Sequence, residues 1–335
     1  VRCRASNEKF GGYTGTLIVF ANTLTEELTK WAKAEGLNRE VGARLLCYWT
    51  TIAPPVKNVN GTLEPAHERS TPLENVNILI AHMSCNAHPL TDENCTVNKT
   101  FLNHFNGWSV LTDNISIWDY ITNFSHYFWW YNFEGALQSN LEFYKSIGVW
   151  QVSPQSGLVN NSYQISLQNY VLSKLLWDTE QNVFELEKQF NRYYFGEELA
   201  SYVERANELF HANFAALDAS APGGFHTGLY SGEYTSAAYY PIGMLEECLK
   251  WMDAASAALE KADLGEDEKR ELALNLLTFR VIPEYMILTN YSSYYGRTGE
   301  IDFARTVFSH FDELGVTLSG ENIYLSTLKE RYGIV

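Results

Sequence analysis

Along the first half of the chain, apolar residues gather into four short, nearly unbroken runs, at residues 41–51, 76–83, 115–120 and 148–152. Their continuous apolar character is that of strands covered on both faces, as in parallel sheets. Apolar positions at helical spacing fill residues 16–33, stopping near Gly36, and helical stretches occupy 98–111 and 134–146. Strands recurring at intervals of roughly 35 residues, with helices between them, predict βα units and a parallel sheet. After Pro154 the pattern changes, and residues 166–177, 183–194, 197–216, 243–261, 267–289 and 301–314 all carry helical periodicity. Four βα units make half of an eightfold barrel. The expected fold is therefore α/β: the C-terminal half of a (β/α)8 TIM-like barrel over residues 1–160, then an α-helical domain over residues 161–335. A half barrel leaves two unpaired sheet edges, so further strands are expected upstream of Val1. An open doubly wound sheet is the competing architecture, but no glycine-rich phosphate loop follows any strand.

Charge narrows the range of partners. The net charge is −16 and Lys and Arg are not clustered, which argues against nucleic acid, because phosphate contacts need such clusters. The same balance disfavours anionic membranes and anionic polysaccharides and leaves neutral ligands open. It also serves simply to keep a large protein soluble. No run of eighteen apolar residues occurs, so no membrane span is expected. Nine Trp, 21 Tyr and 18 Phe either stack on the apolar faces of sugars or fill a large core, and composition does not separate the two.

Five cysteines form no CxxC pair, and no His/Cys/carboxylate group has metal-ligand spacing, so neither metal nor cofactor is expected. Cys85 and Cys95 are either a disulfide of an exported chain or two buried thiols. Several Asn-x-Ser/Thr sequons, at Asn60, Asn94, Asn98, Asn114, Asn123, Asn160 and Asn290, carry glycans only in a eukaryotic secretory host. Export, to the periplasm, the cell surface or the medium, is the expected localisation.

In parallel barrels, functional side chains cluster at the C-terminal ends of strands and in the loops beyond them. That rule selects Trp49-Thr50-Thr51, the loop from Ser84 to Pro89 with His88, the stretch Trp118-Asp119-Tyr120 continuing to Asn123 and His126, and Trp150-Gln151-Val152-Ser153. Asp119 ends an apolar strand between two aromatic residues and is expected to face a cleft. There a partly desolvated carboxyl would serve as proton donor or base. Trp118 and Tyr120 would form a sugar platform beside it. The competing reading makes Asp119 a strand-end acid that caps a helix or pairs with a cation. The aromatic run Tyr127-Phe128-Trp129-Trp130-Tyr131 either lines the same cleft or packs on the helical domain. His88 and His126 are either ligand contacts or satisfied structural histidines.

The ten residues from Trp118 to Tyr127 resemble the signature of the domain-of-unknown-function 4838 family, classed with glycoside hydrolase family 163. Ala87-His88-Pro89-Leu90 followed by Cys95, Leu175-Leu176-Trp177-Asp178 followed by Tyr193-Tyr194-Phe195-Gly196, and Cys3 with Gly15-Thr16-Leu17 resemble further family segments in order. The likeness spans roughly residues 1–215. It implies a barrel followed by helices and endo-β-N-acetylglucosaminidase activity on N-glycans, by a retaining and acetamide-assisted mechanism with an oxocarbenium-like transition state. By that likeness Asp119 donates a proton or orients the acetamide. Tyr120 and Asn123 bind it, and His88 and His126 contact hydroxyls; the strand-end rule adds Trp49, Trp118, Trp150 and Gln151 to the expected glycan-binding residues. The sequence departs from the family pattern in two respects: the upstream half of the barrel, a possible partner of this chain, is not part of it, and Gln151 stands where the last strand ends on an acid. A non-catalytic glycan-binding protein, or an inactive fragment of such an enzyme, is the alternative.

Overall fold

The computed structural model describes residues 2–83, 85–230, 235–291 and 293–334. Helices α1 (Arg2–Phe10) and α2 (Tyr13–Ala34) open the chain. They are followed by strand β1 (Ala43–Cys47), the hairpin β2 (Val56–Val59) and β3 (Thr62–Pro65), and strand β4 (Val76–Ala81). Then come α3 (Thr96–Ser109), β5 (Ile115–Tyr120), α4 (Glu134–Ser146) and β6 (Gln151–Gln155). Strands β1, β4, β5 and β6 form one parallel sheet in that order. The fold is mixed α/β, as the apolar periodicity predicts. The hairpin, which the apolar runs do not mark, turns on Asn60 and Gly61, both with positive φ. Asn-Gly is the pair that a two-residue turn of this kind requires.

Successive residues of a strand face opposite sides of the sheet, and here the two sides differ in chemistry. Leu45, Cys47, Val76, Ile78, Ile80, Ile115 and Ile117 face the helices and are buried. The helices answer with Ile18 and Ala21 of α2 and Phe101, Phe105 and Trp108 of α3. The indole of Trp108 also donates to the Ile52 carbonyl at 2.8 Å. The opposite face carries a polar row: Arg44 donates to Asn77 Oδ1 at 2.8 Å, and Asn77 donates to Ser116 Oγ at 2.9 Å. Arg44 also donates to Gln151 Oε1 at 2.6 Å.

The remaining elements are α5 (Tyr163–Trp177), α6 (Val183–Phe195), α7 (Glu197–Ser220), α8 (Ile242–Lys261), α9 (Glu266–Asn290) and α10 (Gly296–Glu313), then the short strands β7 (Leu318–Gly320) and β8 (Ile323–Tyr324) and helix α11 (Leu325–Arg331). Asn182 starts α6 by accepting from the Phe184 and Glu185 amides, as N-cap side chains do. Gly196, at φ 79°, makes the corner into α7, where a side chain would be strained. Helix α9 has the length and apolar composition of a membrane span, and 61% of its apolar window is buried inside the protein. The chain divides into a sheet unit (Val1–Cys85, Pro89–Tyr120, Glu142–Gln155) and a helical unit (Asn86–His88, Ile121–Leu141, Ser156–Val335). Residues 86–88 and 121–141 group with the helices that follow residue 156.

Because Ile117 is fully buried at the centre of β5, Ile117→Ala is expected to lower unfolding free energy by about 2–5 kcal/mol in urea denaturation. Val59→Ala on the exposed hairpin is expected to stay within about 0.5 kcal/mol of the parent.

Candidate functional site

At the C-terminal edge of the sheet, β5 sends Trp118 and Tyr120 to the polar face, where both are half-buried. Trp118 does not hang free: its Nε1 donates to Gln155 Oε1 at 3.0 Å across the neighbouring strand. The register pairs Trp118 with Ser153 and Tyr120 with Gln155. At the end of β1, Trp49 has φ 49° in a short 3-10 turn and is 68% exposed. A bulky residue held in the left-handed region is uncommon and strained. Its ring borders an apolar groove of about 350 Å³ with Met83, Phe101 and His104. Burial lowers the pKa of His104 from its ordinary value. An exposed indole beside a groove suits stacking on a flat, partly apolar ligand; Trp118 is not among the residues that line this groove.

Asp119 lies elsewhere. It shares the face of Ile115 and Ile117 and is 3% exposed, so its side chain points away from Trp118 and Tyr120 rather than into a cleft beside them. Its Oδ1 is 2.8 Å from His82 Nε2, and the Tyr144 hydroxyl on α4 is 2.8 Å from the same nitrogen. Oδ1 also accepts from the Tyr120 amide at 2.7 Å. Burial, reinforced by the Asp119 carboxylate, pushes the Tyr144 phenol well above its usual range. The arrangement fixes the end of β5 and thereby the orientation of its two aromatic neighbours.

Trp150 and Gln151 occupy the other edge. The predicted strand 148–152 ends before Pro154, but β6 begins at Gln151 and runs through Pro154 to Gln155. Proline is tolerated there because β6 borders the described sheet on one side only. Trp150 therefore stands at the N-terminal edge, donating to Asn114 Oδ1 at 3.1 Å under the Arg44 guanidinium. Gln155, which the sequence pattern does not single out, takes the strand-end place expected of Gln151.

His88, Asn123 and His126 belong to the helical unit; Ser84 lies outside the described residues. His88 Nε2 is 2.8 Å from Asp218 Oδ1, and its ring meets that of His226 edge-on at 5.4 Å. Asn123, fully buried, accepts from the Ser125 and His126 amides and donates to the Gly228 carbonyl. His126 Nδ1 is 2.8 Å from the Tyr285 hydroxyl, and burial lowers its pKa. The run Tyr127–Tyr131 is core: its five rings are each no more than 2% exposed. Trp130 stacks on Phe210 and donates to Asn207 Oδ1 at 2.8 Å.

That last bond leads to a group of residues with no sequence signal, because three separate helices supply it. Glu134 opens α4, Glu187 lies on α6 and His211 on α7, and their ligating atoms all fall within 4.8 Å of one another. Asn207 donates to Glu187 Oε1, and His211 Nε2 is 3.5 Å from Glu187 Oε2. Burial, with the Glu187 charge adding to it, pushes the Glu134 carboxyl up to about 8. Burial works against a charged His211, but the Glu187 and Glu134 carboxylates together leave its pKa raised. Both groups hold protons in the folded protein that the unfolded chain has released, so stability is full at low pH and is lost as pH rises through the folded values. The melting temperature of chelator-treated protein is expected to fall from about pH 4.5, the ordinary carboxyl value, to about pH 8. Glu134→Gln should flatten that fall, and a slope unchanged in the variant would show that Glu134 does not carry it.

Comparison with known proteins supplies the relationship. No curated protein matches the sequence. A GH138 enzyme targeting pectin rhamnogalacturonan II has a solved structure that matches with a TM-score of 0.44 and 13% identity, covering 96% of this chain and 48% of that one. The chain thus spans about half the length of that enzyme. The family model described as domain of unknown function (DUF4838) matches residues 1–207, and with well over half of its length inside that match, the chain belongs to the DUF4838 family.

Proposed function

We propose that the chain is a glycan-handling part of a glycoside hydrolase, acting on N-acetylglucosamine-containing glycans in the manner of glycoside hydrolase family 163. The observation that carries this reading is the pair of indoles at the C-terminal edge of the sheet: Trp49 exposed on a left-handed turn, and Trp118 held by Gln155. Sugar rings bury their C–H faces on such indoles, and flanking amides and phenols take up the hydroxyls. The ordered motifs shared with the family support the substrate class. A half barrel completed by further strands would place this edge at the mouth of a catalytic cavity.

In this reading Trp118, Tyr120 and Trp49 bind the sugar, and Asp119 positions them through His82 and Tyr144. Proton donation to a glycosidic oxygen requires a carboxyl that reaches the substrate, and Asp119 is enclosed. That burial favours one second reading, in which the chain binds glycans without cleaving them. Trp150 and Gln151 act as supports of the opposite sheet edge in both.

The test is binding of N-acetylglucosamine oligosaccharides by calorimetry, with turnover followed on N-glycans. Trp118→Ala is expected to weaken binding by about 10- to 100-fold, the equivalent of about 1.5–3 kcal/mol for an aromatic side chain, and Gln155→Leu by less. Affinity unchanged in Trp118→Ala would remove the site. Affinity unchanged in Asp119→Asn would remove its positioning role, and affinity without any turnover would select the binding reading.

A further inference from the structure

The helical unit treats its buried carboxylates unequally. Glu284, 1% exposed, is met by Arg280 at 2.8 Å and by His310 at 2.7 Å. Glu187, 7% exposed, is met by Asn207 and His211. Glu134 is 4% exposed, and its Oε2 has no hydrogen-bond partner among the described residues. A buried acceptor left without a partner is costly, and such groups point to something that supplies the missing contact.

Two features of the surroundings define what would fit. The first is the state of the imidazole. Trp130 has only a donor to offer, so its bond to Asn207 Oδ1 fixes the amide and turns Asn207 Nδ2 toward His211 Nε2, 3.2 Å away. The same Nε2 lies 3.5 Å from Glu187 Oε2, so the nitrogen turned toward that carboxylate is the one that presents a lone pair when the ring is neutral with Nδ1 protonated, the form that binds metal ions. The second is space. Glu187 and His211 border a cavity of about 420 Å³ whose lining also includes Asn191. Asn191 is fully buried, and its Nδ2 has no hydrogen-bond partner among the described residues.

We propose that Glu134, Glu187 and His211 form a binding site for a divalent first-row metal ion, Zn²⁺ being the best fit, with an open coordination position on the cavity side. Two carboxylates and one imidazole, without thiolate, suit Zn²⁺, Mn²⁺ or Fe²⁺ better than Ca²⁺ or Mg²⁺, which favour all-oxygen sites with more ligands. Three protein ligands and one vacant position are the arrangement of zinc sites that hold an exchangeable oxygen ligand. The Asn191 amide is placed to donate to that ligand. Asn207, bonded to both Glu187 and His211, orients two of the three donors, as supporting groups of metal sites do. The inference is independent of the glycan reading, since it concerns other residues and the helical unit alone.

The whole chain, stripped with chelator, would be titrated with Zn²⁺ by calorimetry and with Co²⁺ by absorption. One ion that depends on Glu134 and His211 is expected, with cobalt ligand-field bands and a raised melting temperature. Glu134→Gln should weaken binding at least roughly tenfold. His211→Gln, at a partly exposed position that tolerates replacement, should do the same and covers the case in which the first variant misfolds. Absence of saturable binding, or a number of bound ions and an affinity unchanged in both Glu134→Gln and His211→Gln, would overturn the site.

Discussion

The buried carboxyl of Asp119 has to be matched inside the fold, and that matching is what the candidate sugar edge depends on. The carboxylate sits at the end of a central strand with apolar residues on its own face. Uncompensated, it would cost several kcal/mol. His82 at the end of β4 and Tyr144 on α4 meet it, so the ends of two strands and one helix are tied at a single point. The strand alternation then does the rest. With Asp119 locked toward the helices, Trp118 and Tyr120 must face the other way, and Gln155 completes the orientation of the indole. A charge inside the layer thus sets the geometry of rings outside it.

The helical unit follows the same rule with different means. Trp130 is buried against Phe210, and its N–H needs an acceptor. Asn207 accepts it and so has its amide nitrogen committed toward Glu187 and His211. Glu284 shows how a buried acid is satisfied when structure alone is at stake: an arginine and a histidine take both oxygens. Glu134 is held differently. It lies in the first turn of α4, where backbone amides favour a carboxylate, yet one oxygen is left over. The same chain satisfies one acid completely and leaves an oxygen of another without a partner among the described residues, and that difference sets Glu134 apart from Glu284.

Apolar periodicity located what packing requires. The strand at 115–120 and the helix at 134–146 lie where their patterns place them, because both bury long apolar stripes. The errors have specific causes. Pro154 reads as a strand end, yet at a sheet edge its missing N–H breaks no ladder bond, so β6 continues and Trp150 and Gln151 fall at the opposite edge. The hairpin carries the Asn60-Gly61 signal, but its strands are polar and exposed and lack an apolar pattern. The face of Asp119 is not legible at all. A strand buried on both sides has no alternation from which to read direction, so the acid between two aromatic residues looks like one of their group. Only the register shows that it is not.

Distance along the chain explains the remaining gap. Trp118, Asp119 and Tyr120 are neighbours in sequence, and attention falls on them for that reason, although the fold sends them to opposite sides. Glu134, Glu187 and His211 have no common motif, no metal-ligand spacing and ordinary helical surroundings, so each alone is a helix residue like many others. They meet because α6 and α7 pack side by side, turned back at Gly196, and the start of α4 reaches the same place. A site assembled from three helices has its specificity in the packing that brings them together. Trp130, by fixing Asn207, is the residue through which that packing reaches the donors. Its burial in the aromatic core is therefore tied to the cluster by a single chain of hydrogen bonds: indole to amide, and amide to carboxylate and imidazole.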